Sequence, residues 1–506
     1  MTTKASPIRA LLDAGADDDR ALTAPGRPDM TFGQLRALTD RTHRQLAAKG
    51  IGPGDRVAIV LPNGPEMASS FLAIASGLSA APLNPAYKQA EYAFYLEDLA
   101  PKLVLVEAGS DNPVRAAAAD LGIEVAEIQT SDTDPAGQFT LWDDEADATP
   151  PGPDDEALVL HTSGTTSRPK VVPLTQSNLV ASAKHISGTL SLGPHDHCLN
   201  IMPLFHIHGL IAVVISSASA GASVCCTPGF NALKFFEWAV EQQPSWYTGV
   251  PTMHQTILLR AKRNSEMLEK VSFRFIRSSS ASLPPAVFEE LHKTFDCPVI
   301  EAYGMTEATH QMASNPLTPG KQKPGFVGLA AGPEIAILDQ AGTAQPSETE
   351  GEVCIKGPNV TPGYANNDKA NAESFTNGWF RTGDQGFLDP DGYLKITGRI
   401  KEIINRGGEK VAPLEVDDTL MEHPAVQQVV TFGVPHKMLG EEVGAAVVLA
   451  EGASVTDKEL QEFAGRTLAP FKVPKVVVFL DEIPKGATGK MQRIGLAAKL
   501  GLGDPT

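Results

Sequence analysis

Strand-length apolar runs alternate with helix-length amphipathic stretches through the first half of the chain, and few folds other than doubly wound α/β sheets accommodate that alternation. Residues 56–61 (RVAIVL), 103–106 (LVLV), 158–160 and 353–355 read as buried strands. Residues 31–49 and 66–79 read as amphipathic helices. At 506 residues the chain has room for two to four domain-sized units. An acidic, Pro-rich stretch at 131–156 predicts a surface connection between subdomains. After YLKITGR at 393–399 the texture changes to short strands at 428–432, 445–449 and 476–480, with a helix at 457–467. The expected division is a large N-terminal domain over 1–399 and a small α+β domain over 400–506.

Charge narrows the function classes. The chain carries 60 acidic and 42 basic side chains, a net charge of −18. That field repels polyphosphate backbones and anionic membranes, so nucleic acid is not an expected partner. The five cysteines, Cys198, Cys225, Cys226, Cys297 and Cys354, form no C-x-x-C pair and no disulfide framework, which fits a reducing cytoplasm. Acidic residues interrupt the N-terminus before any signal-peptide-like apolar run, and GLGDPT at the C-terminus is not a peroxisomal tripeptide. Residues 198–233 lack Lys, Arg, Asp and Glu over a length that spans a bilayer. His206, His208, Gly209, Gly221 and Pro228 interrupt them, so a buried helix and strand are expected instead.

Several short motifs bear chemistry. HTSGTTSRPK, at 161–170, packs hydroxyls and a glycine behind a predicted strand and ends in Lys170, a composition that suits polyphosphate and equally a polar turn. It is not a Walker A loop, because no second glycine precedes the lysine. PKGATGKMQR, at 484–493, sets Lys490 after a Gly-rich turn, where a solvated lysine is the ordinary reading. EAYGMTEATHQM, at 301–312, offers a stacking aromatic, a hydroxyl and a carboxylate. One or two carboxylates with substrate phosphates are the usual holders of Mg²⁺. FRTGD at 380–384 adds an acid, and GRIKEIINRGGEK at 398–410 adds a Gly-Arg pair ahead of a possible hinge.

Taken together and in this order, HTSGTTSRPK, YGMTE, GWFRTGD, TGRIKEIINRGGEKVAP and PKGATGK resemble the adenylate-forming superfamily of acyl-CoA synthetases, luciferases and peptide-synthetase adenylation domains over essentially the whole chain. The resemblance implies two doubly wound α/β subdomains plus a β-barrel-like subdomain, followed by a small mobile α+β domain. It implies that a carboxylate attacks the α-phosphate of MgATP, pyrophosphate leaves, and CoA opens the acyl-adenylate. Lys490 would bridge the acid and the α-phosphate, Thr306 would contact that phosphate, and Glu307 would hold Mg²⁺. Glu301, Ala302, Tyr303, Gly304, Ser280 and Ala281 would surround adenine, and Asp384 and Arg399 the ribose. Thr162, Ser163, Gly164, Thr165, Thr166 and Lys170 would hold the outer phosphates. Rotation about Lys401 would withdraw Lys490 and bring Arg406, Gly407, Gly408 and Lys410 to CoA. Two departures stand in the phosphate loop, where relatives carry glycine at the positions of Ser167 and Val171; a β-branched residue at the latter position restricts the loop's exit.

The acid pocket departs further. Where many relatives read R-S-G-G-A-P-L, residues 277–283 read RSSSASL, so two serines replace two glycines. His206 and His208 in PLFHIHGL and His310 past Glu307 add imidazoles; His206 is assigned to catalysis, and His208, Ser279, Ser280 and His310 to the acid. A short polar site suits a small dianion, because a second carboxylate buried without donors is prohibitively costly. These strings look most like the branch that activates oxalate. Malonate or another short or medium-chain acid, or loading of a separate carrier protein, are the alternatives. The expected partners are thus small molecules, with no membrane span, on a monomer or small homo-oligomer.

Overall fold

The computed structural model describes residues 7–162, 169–484 and 491–503. It is a mixed α/β protein built on four sheets, three in a large N-terminal domain and one in a small C-terminal domain. The six-stranded sheet runs in the order Glu124–Ile128, Leu103–Glu107, Arg56–Val60, Ser79–Pro82, Glu156–His161 and Val171–Thr175. All neighbours are parallel except the last two, which form an antiparallel pair with His161 opposite Val171. The predicted strands at 56–61, 103–106 and 158–160 are therefore present, and their apolarity reflects helices covering both faces. The helix predicted at 31–49 spans Phe32–Ala48 and starts where Thr31 and Gln34 form a reciprocal capping box. The one at 66–79 spans Pro65–Gly77 and is buried at every position but Glu66.

In the nine-stranded sheet, His197–Asn200, Trp246–Gly249, Phe275–Ser278 and Val299–Met305 lie side by side and parallel. His310–Ser314 returns antiparallel to Val299–Met305. The carboxyl ends of these strands meet the functional motifs, as is usual for open α/β sheets. The uncharged stretch 198–233 is a strand, a π-helix at His208–Ile215, the helix Ser216–Ser219 and another strand, all inside the N-terminal core. No described helix is long and apolar enough to cross a membrane. All five cysteines are free and buried.

A five-stranded antiparallel sheet made of Glu334–Leu338, Gly351–Lys356, Phe375–Thr376, Trp379–Leu388 and Leu394–Arg399 supplies the third subdomain. The stretch 131–156 is less superficial than expected: Gln129 bridges to Thr140, and Ala136 and Phe139 are buried. In the C-terminal domain the strands at 428–432 and 445–449 are parts of a longer hairpin, Val426–His436 and Gly440–Leu449. The helix predicted at 457–467 stops at Ala464. Half-buried Arg493 ties this domain together, reaching Asp417 at 2.6 Å and Glu402 at 3.3 Å.

Candidate functional site

The phosphate-loop motif connects two antiparallel strands, and its neck is closed by its own end residues. The Thr162 amide donates to the Lys170 carbonyl at 2.9 Å, and the Lys170 amide donates to Thr162 Oγ1 at 3.2 Å. Ser163, Gly164, Thr165, Thr166 and Ser167 lie outside the described residues, as does Lys490. Lys170 holds its ammonium 4.2 Å from the centre of the Tyr364 ring. Burial lowers its pKa, while the negative charge of Glu307 opposes that shift.

Glu307 sits in a single 3₁₀ turn, Thr306–Ala308, directly after the strand Val299–Met305. Its carboxylate accepts a hydrogen bond from Tyr364 Oη at 2.8 Å, and burial raises its pKa despite that bond. A buried carboxylate anchored by one phenol is a donor set suited to a divalent cation that takes its other ligands from phosphate and water. Tyr364 was not singled out from the sequence. It is 57 residues from its partner, in a Pro-Gly-Tyr turn with no chemical signature.

Another cluster joins Tyr303, Asp384 and Arg399. Arg399 Nε donates to Asp384 Oδ1 at 2.8 Å, and the Tyr303 hydroxyl donates to Asp384 Oδ2. Asp384 and Arg399 are cross-strand neighbours, so the antiparallel ladder sets the pair. Gly304 is required by close approach: a Cβ there would stand 1.7 Å from the His310 carbonyl oxygen. Ala302 is buried in the strand and Ala281 is exposed. The Glu301 carboxylate is engaged elsewhere than the sequence suggests, accepting from the Gly325 amide at 3.1 Å, and burial pushes its pKa up to about 8.

The third cluster is where acid binding was expected. His208 Nδ1 lies 3.0 Å from Ser280 Oγ, His208 Nε2 lies 2.8 Å from Thr248 Oγ1, and the His208 and His310 rings are 4.9 Å apart. Ser280 and His310 both have left-handed backbones, at φ +73° and +87°. Non-glycine residues reach that region at a cost of about 1 kcal/mol or more, so their side chains are retained against backbone preference. Ser279 does not join them. Its hydroxyl donates to the Ala302 carbonyl at 2.8 Å, while the left-handed turn at Ser280 carries the next hydroxyl to His208. His206 is half-buried beside Phe205 in the turn leading into the π-helix. A π-helix is rare and frequent at functional sites. Gly209 at its first turn allows the Pro203 carbonyl to approach within 2.5 Å of where a Cβ would be.

Arg277, the first residue of the RSSSASL string, has no role assigned from sequence and is completely buried among these groups. It reaches His208 Nε2 at 3.3 Å and Gln311 Oε1 at 3.4 Å, and its Nε has no hydrogen-bond partner among the described residues. No carboxylate of a described residue pairs with it, and burial lowers its pKa to about 9.

In the C-terminal domain, Arg406 is paired with Glu442 through two contacts at 2.5 and 3.0 Å. Gly407 and Gly408 follow at φ +61° and +102°, and Lys410 is exposed. Lys401 is exposed in the 3₁₀ turn Ile400–Glu402, between the last strand of the large domain and the first of the small one.

The AMP-binding enzyme family matches residues 13–365, and the AMP-binding enzyme C-terminal domain matches 415–490. The chain belongs to the AMP-binding enzyme family. Among curated members, the oxalate–CoA ligase of Arabidopsis thaliana is 46% identical over 488 residues, covering 94% of each chain. The oxalate–CoA ligase of Saccharomyces cerevisiae is 44% identical over 468 residues, covering 87% of this chain and 86% of its own. Among solved structures, ATP-bound MatB from Rhodopseudomonas palustris superposes with a TM-score of 0.89 at 30% identity, covering 98% of this chain and 99% of its own.

Proposed function

We propose that this family member is an oxalate–CoA ligase, converting oxalate, ATP and CoA into oxalyl-CoA, AMP and pyrophosphate. The observation that carries the choice of acid is the buried grouping of His208, Ser280, His310 and Arg277, a donor-rich and net positive environment. A monocarboxylic acid with an apolar tail gains nothing there, whereas a dianion supplies the charge that the cluster lacks. Near-full-length identity to two oxalate–CoA ligases supports the same acid.

In the first step a carboxylate oxygen attacks the α-phosphorus of ATP, and the bond to pyrophosphate breaks. Two anions must meet, so positioning and charge cancellation carry most of the rate. Lys490 and Thr306 are assigned to the α-phosphate, and His206 to the acid's entrance. Thr162, Lys170 and the 163–166 segment are assigned to the outer phosphates. Tyr303 flanks the base, with Ser280, Ala281, Ala302 and Gly304 contributing backbone, and Asp384 and Arg399 hold the ribose. Glu307 is the residue that would hold Mg²⁺, which supplies phosphate neutralisation when bound. In the next step the CoA thiol attacks the acyl carbon and AMP leaves. Lys401 serves as the hinge, the 407–408 glycines line the pantetheine path, and Lys410 meets the CoA phosphates. A cytoplasmic setting, consistent with five free cysteines, and a monomer or small homo-oligomer complete the reading.

CoA-dependent AMP release across oxalate, malonate, acetate, a medium-chain acid and an aromatic acid tests the assignment. Oxalate should give the highest kcat/KM. Preference for an uncharged-tail acid overturns it. Adenylation without transfer to free CoA would favour a carrier-loading protein.

A further inference from the structure

Resting on the oxalate reading, we propose that Arg277 is a positioning and specificity residue that acts on the acid through His208, locking its tautomer so that the Ser280 hydroxyl proton is aimed at the substrate's second carboxylate. The contacts form a chain of donors. A guanidinium only donates, so the Arg277–His208 contact at 3.3 Å makes Nε2 the acceptor. With Nε2 unprotonated, Thr248 at 2.8 Å must also donate to it. The ring proton therefore resides on Nδ1, which donates to Ser280 Oγ at 3.0 Å. Ser280 Oγ has then accepted from the histidine, and its own proton is left to donate onward.

Position supports this order. Thr248 and Arg277 are cross-strand partners on adjacent parallel strands, so one ladder presents both donors to the same ring nitrogen. Arg277 is completely buried, whereas Ser280 at the end of the chain of bonds is half-buried and lies beyond the strand end. His310 faces His208 from the next strand but one. The positive charge is thus fixed on a residue behind the contact surface, and the groups in front of it are neutral donors. That arrangement favours a dianion by long-range charge and reads its oxygen by a hydroxyl. Ser280 accepts a left-handed backbone where glycine would be free of strain, as expected if its hydroxyl is needed.

The test compares oxalate with oxamate, an isostere in which an amide replaces the second carboxylate, together with histidine NMR of the intact enzyme. Arg277→Met should lower the oxalate-over-oxamate ratio in kcat/KM by at least tenfold while leaving KM for ATP within threefold. Ser280→Ala, at a half-buried site, should likewise lower the oxalate-over-oxamate ratio at least tenfold if the methionine variant fails to fold. An unchanged ratio in a folded variant overturns the proposal. In the wild type, with His208 assigned by its loss in His208→Asn, long-range ¹H–¹⁵N correlations should show the Nδ1–H tautomer. An Nε2–H or doubly protonated ring overturns the relay whatever the substrate. Failure of the wild type to turn over oxalate instead refutes the acid assignment, and the tautomer measurement still decides the relay.

Discussion

The Tyr364 hydroxyl donates to the Glu307 carboxylate at 2.8 Å, and this bond joins a turn of the five-stranded-sheet subdomain to the carboxylate beside the phosphate loop. Lys170 lies over the same tyrosine ring, so one aromatic side chain positions both the cation and the anion of the site.

Tyr364→Phe should therefore move the acid limb of the pH–rate profile upward. Burial raises the Glu307 pKa and the Tyr364 bond opposes that rise, so removing the phenol raises it further. The ionised form is then lost at a higher pH as acid is added. Adenylation at neutral pH should fall by about tenfold, as expected for one hydrogen bond to a charged group, and the concentration of Mg²⁺ giving half-maximal rate should rise. Pyrophosphate–ATP exchange against pH at several Mg²⁺ concentrations measures both.

Glu301→Gln should flatten the stability profile of the large domain between about pH 5 and 8. The folded-state pKa of Glu301 is raised to about 8, from 4.5 in its ordinary state. Between those values the folded form binds more protons than the unfolded one, so its contribution is complete at low pH and is lost as pH rises. The amide retains an acceptor for Gly325 and removes the titration. Denaturant unfolding at pH 8 should show the variant more stable than the parent by about 2 kcal/mol relative to their difference at pH 5, a value kept below the full shift because partial solvation relieves buried charge.

His310→Ala and Ser279→Ala should separate cleanly. The first removes a ring 4.9 Å from His208 and should raise KM for oxalate about tenfold with KM for ATP nearly unchanged. The serine variant removes a hydroxyl already bonded to the Ala302 carbonyl and should cost about 1 kcal/mol of stability without changing the preference among acids. Steady-state kinetics with each acid distinguishes the two.

Lys490→Ala should reduce acid-dependent pyrophosphate–ATP exchange by about a thousandfold while leaving thioester formation from supplied oxalyl-adenylate largely intact. Equal loss in both half-reactions would remove the lysine from its assigned step.

The strand–helix alternation was legible because parallel strands covered on both faces must be apolar, and residues 57–60 and 103–106 are. The Asp384–Arg399 pair was legible through its motifs, and the antiparallel ladder accounts for it. Tyr364 and Arg277 were not identified as site residues. The tyrosine depends on two distant turns meeting, and the arginine is indistinguishable from any other strand residue until its burial without a carboxylate is seen. Hydroxyl content did not show that Ser279 and Ser280 would part, one bonding the Ala302 carbonyl and the other His208. The partner of Arg406 was not legible, because the hairpin brings Glu442 to it from 36 residues away.

Oxalate itself must attack the α-phosphorus if the proposed function is right, and oxygen transfer tests that directly. With [¹⁸O]oxalate, ATP and CoA, the carboxylate oxygen that forms the anhydride leaves with AMP when the thiol attacks carbon. Mass spectrometry should find one ¹⁸O in each AMP and none in pyrophosphate. AMP without the label, or label in a phosphate other than the α position, would contradict the account.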